Sequence, residues 1–142
     1  MKVRIVRIEK DLPLPDYHTE GAVAFDLYTR QAATIAPGET IMLPSNLIVE
    51  VPAGHVLIVA SRSSLGKKKG LQLVNGIGIV DQDFHGPKDE MNLFLKNFTS
   101  QEVSVERGER LCQGFIVPIA KAEWDEVESI KEGSRGGWGS TG

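Results

Sequence analysis

Asn75-Gly76-Ile77-Gly78-Ile79-Val80-Asp81-Gln82-Asp83-Phe84-His85-Gly86 is the stretch on which the reading of this chain turns. Asn-Gly is a turn signal. An apolar run follows, too short for a helix and bounded by a second turn, Gly86-Pro87, so it reads as one arm of a β-hairpin. Gly76 and Gly78 permit close backbone approach or unusual dihedrals. A bare backbone of this kind can read the edge of a planar ligand such as a base with its own N–H and C=O groups. Asp81 follows a buried strand, where a carboxylate can be held rigidly as a general base. The alternative is that Asp81 and Asp83 are turn formers.

The same texture extends outward. Lys2 to Ile5, Thr40 to Leu43, His55 to Ala60, Met91 to Phe98, Val103 to Val105 and Phe115 to Ile119 read as strands. Pro37-Gly38, Pro52-Ala53-Gly54 and Arg107-Gly108 break them. Many short strands at close spacing predict an all-β sandwich or barrel. The one short helix is expected from Ser63 to about Lys69, with Ser63 or Ser64 as N-cap and Gly70 as the stop. The domain is expected to span residues 1–132, with a glycine-rich arm over 133–142.

The totals agree. A chain of 142 residues, 41% hydrophobic and 25% charged, has the size and composition of one globular domain. A net charge of −3 lacks the basic footprint of a duplex nucleic-acid binder. Lys67-Lys68-Lys69 is the one basic run, either a solvated face or part of a phosphate field. A single cysteine, Cys112, rules out a disulfide framework within the chain, and the scattered His18, His55 and His85 do not match zinc-ligand spacing. No apolar run reaches the length of a membrane span or signal peptide, so a cytoplasmic protein without membrane attachment is expected.

Four further stretches carry candidate chemistry. In Ser61-Arg62-Ser63-Ser64-Leu65-Gly66 a strand gives way to a helix start, where N–H groups, Arg62 and two hydroxyls suit phosphate; simple helix capping is the alternative. Ala22-Val23-Ala24-Phe25-Asp26-Leu27-Tyr28 places an acid inside an apolar segment, an active carboxylate or a strand-edge acid. Gly108-Glu109-Arg110-Leu111-Cys112-Gln113-Gly114-Phe115 puts the amide of Gln113 in an apolar run, where it needs a hydrogen-bond partner. The arm, Ser134-Arg135-Gly136-Gly137-Trp138-Gly139-Ser140-Thr141-Gly142, offers backbone N–H groups, a forked cation and hydroxyls for polyphosphate. Trp138 adds a flat face for a nucleobase. The alternative for the arm is a floppy tail.

Taken in order, these five stretches resemble the five-motif pattern of the trimeric deoxyuridine triphosphatases, from about Ala22 to Gly142. The resemblance implies a jelly-roll-like all-β domain (β-clip), a homotrimer with composite sites, and Mg2+-dependent hydrolysis of dUTP to dUMP and pyrophosphate. It implies Asp81 as the base that activates water. Asn75, Gly78 and the hairpin backbone would read uracil, and Phe84 would pack under the deoxyribose. Arg62, Ser63 and Ser64 would hold phosphates. Asp26 and Gln113 would meet the metal through water. Arg135, Trp138, Gly139, Ser140 and Thr141 would cover the nucleotide.

Some positions depart from that pattern. Ala24 and Ser64 stand where glycine is common, Phe84 where tyrosine is usual, and Trp138 where phenylalanine is usual. Arg135 lies three residues before the aromatic rather than five. The Arg-Ser-Ser-Leu-Gly wording is closer to the related dCTP deaminases, which use a glutamate on the strand after the hairpin. Here that strand has no acid, but Glu90 lies just before it, next to an insertion at Pro87-Lys88-Asp89. Deamination of dCTP, alone or combined with dUTP hydrolysis, is therefore the second reading, and a non-catalytic trimeric β module the third.

Overall fold

The computed structural model describes residues 1–131 together with Gly133, Ser134, Gly136 and Gly137. The described residues form eleven short strands: β1 (Arg4–Arg7), β2 (Phe25–Tyr28), β3 (Ala33–Ile35), β4 (Thr40–Pro44), β5 (Leu47–Glu50), β6 (His55–Ser61), β7 (Leu71–Leu73), β8 (Ile77–Val80), β9 (Asn92–Asn97), β10 (Val103–Val105) and β11 (Arg110–Pro118). The all-β expectation holds. Every strand pair is antiparallel. The largest sheet runs β2-β11-β6-β8, a second runs β4-β9-β7, and β1-β5 and β10-β3 form two-stranded ribbons.

Alternation explains the packing. Along β9, Leu93, Leu95 and Asn97 point inward while Asn92 and Phe94 point out, the period of two that a sheet with one covered face requires. Leu27 of β2, Ile35 of β3, Leu43 of β4, Leu57 of β6 and Leu111 of β11 join Leu93 and Leu95 in one buried cluster. Burying such side chains contributes about 1.5–3 kcal/mol each. Asn97 is fully buried, and its amide group bonds Ile35 O, Gln101 O and the Thr99 N–H and hydroxyl, so its polar atoms are satisfied.

Two expectations are corrected. The stretch from Asn75 is not a hairpin arm. β7 pairs with β9, whereas β8 pairs with β6, so Asn75-Gly76 is a corner at which the chain passes between two sheets. Gly76 takes φ +70°, and Ile77 N–H reaches back to the Asn75 carbonyl at 2.8 Å, a tight reversal that favours glycine. The expected helix is also shorter. It is one π-type turn, Leu65–Lys69, preceded by Ser64, whose side chain makes no capping bond. Gly70 does end it, at φ +66°. Among the described residues no helix is long and apolar enough to cross a membrane.

Candidate active site

The corner at Asn75-Gly76 opens a cleft of about 240 Å³ between the two larger sheets. Asn75, Gly78, Asp81 and Phe84 all line it, together with Val59, Leu73, Met91 and Asn92. The expected base, Asp81, and three of the residues expected to bind nucleotide, Asn75, Gly78 and Phe84, are thus brought to one place. β8 is the edge strand of its sheet, so one row of its N–H and C=O groups has no strand partner there and can face a ligand. Gly78 lies opposite Val59, and a Cβ at Gly78 would sit 3.2 Å from Val59 Cβ. The missing side chain keeps the wall of the cleft bare. Asp81 follows β8 directly and is exposed, as is Phe84, whose N–H donates to Asp81 O.

A second cluster forms where β2, β11 and the end of β6 meet. Gln113 lies opposite Asp26 on one side and Ala60 on the other. Its Nε2 donates to Ser61 O at 3.1 Å, and among the described residues its amide oxygen accepts no bond. Asp26 is buried, and its carboxylate is held by three groups. Arg62 Nε lies 2.9 Å from Oδ1; Arg110 Nη1 and His18 Nε2 lie 3.1 and 3.0 Å from Oδ2. Arg62 is fixed further by bonds from its backbone N–H to Leu111 O and from Nη1 to Arg110 O. Gly114 makes this approach feasible, because a Cβ there would lie 2.8 Å from the Phe25 ring and 3.1 Å from Leu57.

Beside this cluster lies a basic pocket of about 250 Å³, lined by Arg62, Ser64, Lys68, Lys69, Glu109 and Arg110. The single π-type turn is too short to supply a helix-terminal field, so its anion-attracting character rests on side chains. Ser63 is exposed on the turn before it and does not line the pocket. Lys69 is already paired, at 2.7 Å from Glu109 Oε1 and 3.1 Å from Ser104 O. Arg110 and His18 were not singled out from the sequence. The Gly-Glu-Arg wording was the available signal for Arg110. His18 had none, being 92 residues from Arg110.

The insertion before β9 does not enter either site. Asp89 caps the turn by accepting from Gly86 N–H at 2.7 Å. Glu90 accepts from Arg30 Nε and Nη2 and from Asn46 N–H. Its carboxylate is thereby committed to structure and gives no support to a deaminase role. Arg135, Trp138, Gly139, Ser140 and Thr141 lie outside the described residues.

No group of three His, Cys, Asp or Glu side chains converges on a metal position among the described residues. Asp26 and Gln113 nevertheless offer oxygen atoms side by side on adjacent strands, the donor type that Mg2+ prefers. Both Asp26 oxygens are already held by Arg62, Arg110 and His18, so the pair suits an ion carried on a ligand and met through water, not one caged by the chain.

The chain is similar to known proteins over most of its length. The sequence model of the dUTPase family matches residues 10–142. The deoxyuridine 5'-triphosphate nucleotidohydrolase of Lactococcus lactis subsp. lactis is 39% identical over 132 residues, covering 91% of this chain and 87% of that protein. The enzyme of the same name from Dictyoglomus turgidum is 35% identical, covering 100% and 99%. Among solved structures, the dUTPase from Streptococcus mutans superposes with a TM-score of 0.77 at 29% identity, covering 87% of this chain and 100% of that one. The dUTPase of Staphylococcus bacteriophage 80alpha with dUPNHPP reaches 0.87 at 23% identity, covering 99% and 98%, a likeness of fold. The chain belongs to the dUTPase family.

Proposed function

We propose that this chain hydrolyses dUTP to dUMP and pyrophosphate, with Asp81 as the general base that activates the attacking water. The observation that carries the reading is the meeting of Asn75, Gly78, Asp81 and Phe84 in one cleft. The unpaired backbone row of β8 and the Asn75 amide supply donors and acceptors for a uracil edge. Cytosine reverses that pattern at N3 and C4, so a wall built for uracil would leave buried groups unpaired against it. The ring of Phe84 gives the deoxyribose an apolar floor with no partner for a 2′-hydroxyl. Arg62 and Ser64 suit the phosphates, with Ser63 beside them on the turn.

Mg2+ bound to the triphosphate would neutralise part of its charge. Asp26 and Gln113 are the residues that would meet its waters. The chain's own part is then positional. Arg62 and Arg110 are pre-aimed by Asp26, so phosphate meets fixed cations and little reorganisation is needed.

Two features support a homotrimer with shared sites. Arg62 lies beyond one end of β6, while Asp81 follows the β8 residue opposite Leu57, near the other end. Six strand steps at about 3.3 Å put the two about 20 Å apart, so one chain does not bring its own base to its own phosphate cluster. In addition, Trp124 and Ile130 are 93% and 96% exposed on the extended segment after β11. Large side chains left bare in this way suit cover by a second copy. Arg135, Trp138 and the Gly139-Ser140-Thr141 run would close over the nucleotide from a further copy.

Incubation with dUTP, dCTP, dTTP and UTP, with and without a chelator, tests the reading. Pyrophosphate release is expected from dUTP alone and only with Mg2+. Turnover of all four, or ammonia from dCTP, would contradict it. Light scattering should give the mass of three chains.

A further inference from the structure

The Asp26 cluster contains one side chain that the reaction above leaves idle. His18 Nε2 stands 3.0 Å from Asp26 Oδ2 and 2.9 Å from Arg110 Nη1. Arg110 Nη1 reaches that same oxygen at 3.1 Å. One imidazole nitrogen either donates or accepts; it cannot donate to Asp26 and accept from Arg110 at once. His18 and Arg110 therefore share one carboxylate oxygen, which has a lone pair for each. The other oxygen is held by Arg62.

The segment carrying His18 is fastened close by on the chain. Asp26 N–H donates to Asp16 O, and the Tyr17 ring stands edge-on to Phe25 with centroids 5.8 Å apart. The imidazole is thus presented to Asp26 by a tied-down loop. Arginine and carboxylate ordinarily favour a two-armed fork. Here Arg110 touches Asp26 with Nη1 alone, while it also lines the basic pocket with Arg62, Ser64, Lys68 and Lys69.

We propose that His18 is a positioning residue for phosphate binding: by donating Nε2–H to Asp26 Oδ2 it takes the lone pair on which Arg110 would otherwise set a second N–H, and keeps that guanidinium facing the basic pocket. This rests on reading that pocket as the seat of the nucleotide's phosphates. Without the imidazole that lone pair is free, Arg110 turns in to add a second bond to Oδ2, and an incoming anion must break it before it binds.

Titration calorimetry with inorganic pyrophosphate on the full chain tests this directly. His18→Ala is expected to weaken pyrophosphate binding about 10-fold, the scale of one charge-assisted hydrogen bond. His18→Gln, whose amide can donate to the same oxygen, should recover most of the loss. In an Arg110→Ala background, His18→Ala should add little, because the residue it positions is gone. With dUTP, His18→Ala should raise KM by a similar factor while kcat falls less than about threefold. Unchanged pyrophosphate affinity in His18→Ala would overturn the proposal. So would full additivity with Arg110→Ala, or a loss that tracks a lowered melting temperature and is not recovered by Gln. Wild-type chain that binds pyrophosphate with this His18 dependence yet leaves dUTP intact would sink the functional reading and leave the positioning role standing.

Discussion

Glu90 and Arg30 form a two-armed ion pair, with Arg30 Nε 2.7 Å from Oε1 and Nη2 2.9 Å from Oε2. Its hydrogen bonding to Glu90 is the main reason the Arg30 guanidinium holds its proton even more firmly than usual. The pair also sets a corner of the fold, because Glu90 Oε1 accepts from Asn46 N–H. Asn46 is buried at φ +70°, a left-handed conformation its own amide helps to hold through bonds with Glu9.

Glu90→Gln removes the nearer of Arg30's two carboxylates and leaves the half-buried guanidinium with Glu9 alone, at 3.4 Å. A loss of about 2–3 kcal/mol is expected, read from the urea midpoint at constant m-value. The exposed pairing of Arg107 with Glu9 and Asp11 is a useful control. Arg107→Ala should move the midpoint far less. Equal shifts for the two would contradict the structural role given to Glu90.

Gly114 is expected to resist substitution. A methyl group there lands within 2.8 Å of the Phe25 ring and 3.1 Å of Leu57. Overpacking of this kind costs about 1–3 kcal/mol. It also pushes β2 from β11 at the register that sets Asp26 beside Gln113. Thermal melting and the Kd for pyrophosphate should therefore both worsen in Gly114→Ala.

Cys112 is fully buried, and burial pushes its thiol up to about 12 from 9.0. The native thiol should stay inert to a thiol reagent at pH 8 until the chain unfolds. The sign of the linkage follows. Below about pH 9 the thiol is neutral in both states and contributes no pH dependence. Between about pH 9 and 12 the unfolded chain loses this proton and the folded one keeps it, so stability falls as pH rises. Cys112→Ala, measured against wild type across that window, should show a flatter profile.

Deleting residues 133–142 tests the arm. The expected outcome is a sharp fall in kcat/KM with an unchanged melting temperature and oligomer mass. Base–aromatic stacking by Trp138 alone would account for roughly 1–3 kcal/mol of that loss. Unchanged kinetics would return the stretch to a tail without function.

Local patterning carried much of this fold. Val103 to Val105 and Gly70 stand where alternation and stop signals put them. β3, β5 and β7 are not read from the local pattern; β5 buries Leu47, Ile48 and Val49 in succession, so no period of two marks it. The corner at Asn75-Gly76 misread as a hairpin for a different reason. Turn chemistry reports that the chain reverses, while the choice of partner strand is made by β6 and β9, distant in sequence. The same distance hid half the Asp26 cluster. Asp26 and Arg110 are 84 residues apart, and nothing local to either names the other. The cleft residues Asn75, Gly78, Asp81 and Phe84 were legible because they fall within ten positions of one another.

The central claim is that Asp81 activates water in a site whose other residues suffice to bind the nucleotide. Asp81→Asn keeps the shape and removes the base. Turnover of dUTP and binding of a non-hydrolysable dUTP analogue should be measured on the same preparation. The account predicts that kcat falls about 10²–10⁴-fold while the analogue's Kd changes little. Near-normal turnover in Asp81→Asn would contradict it.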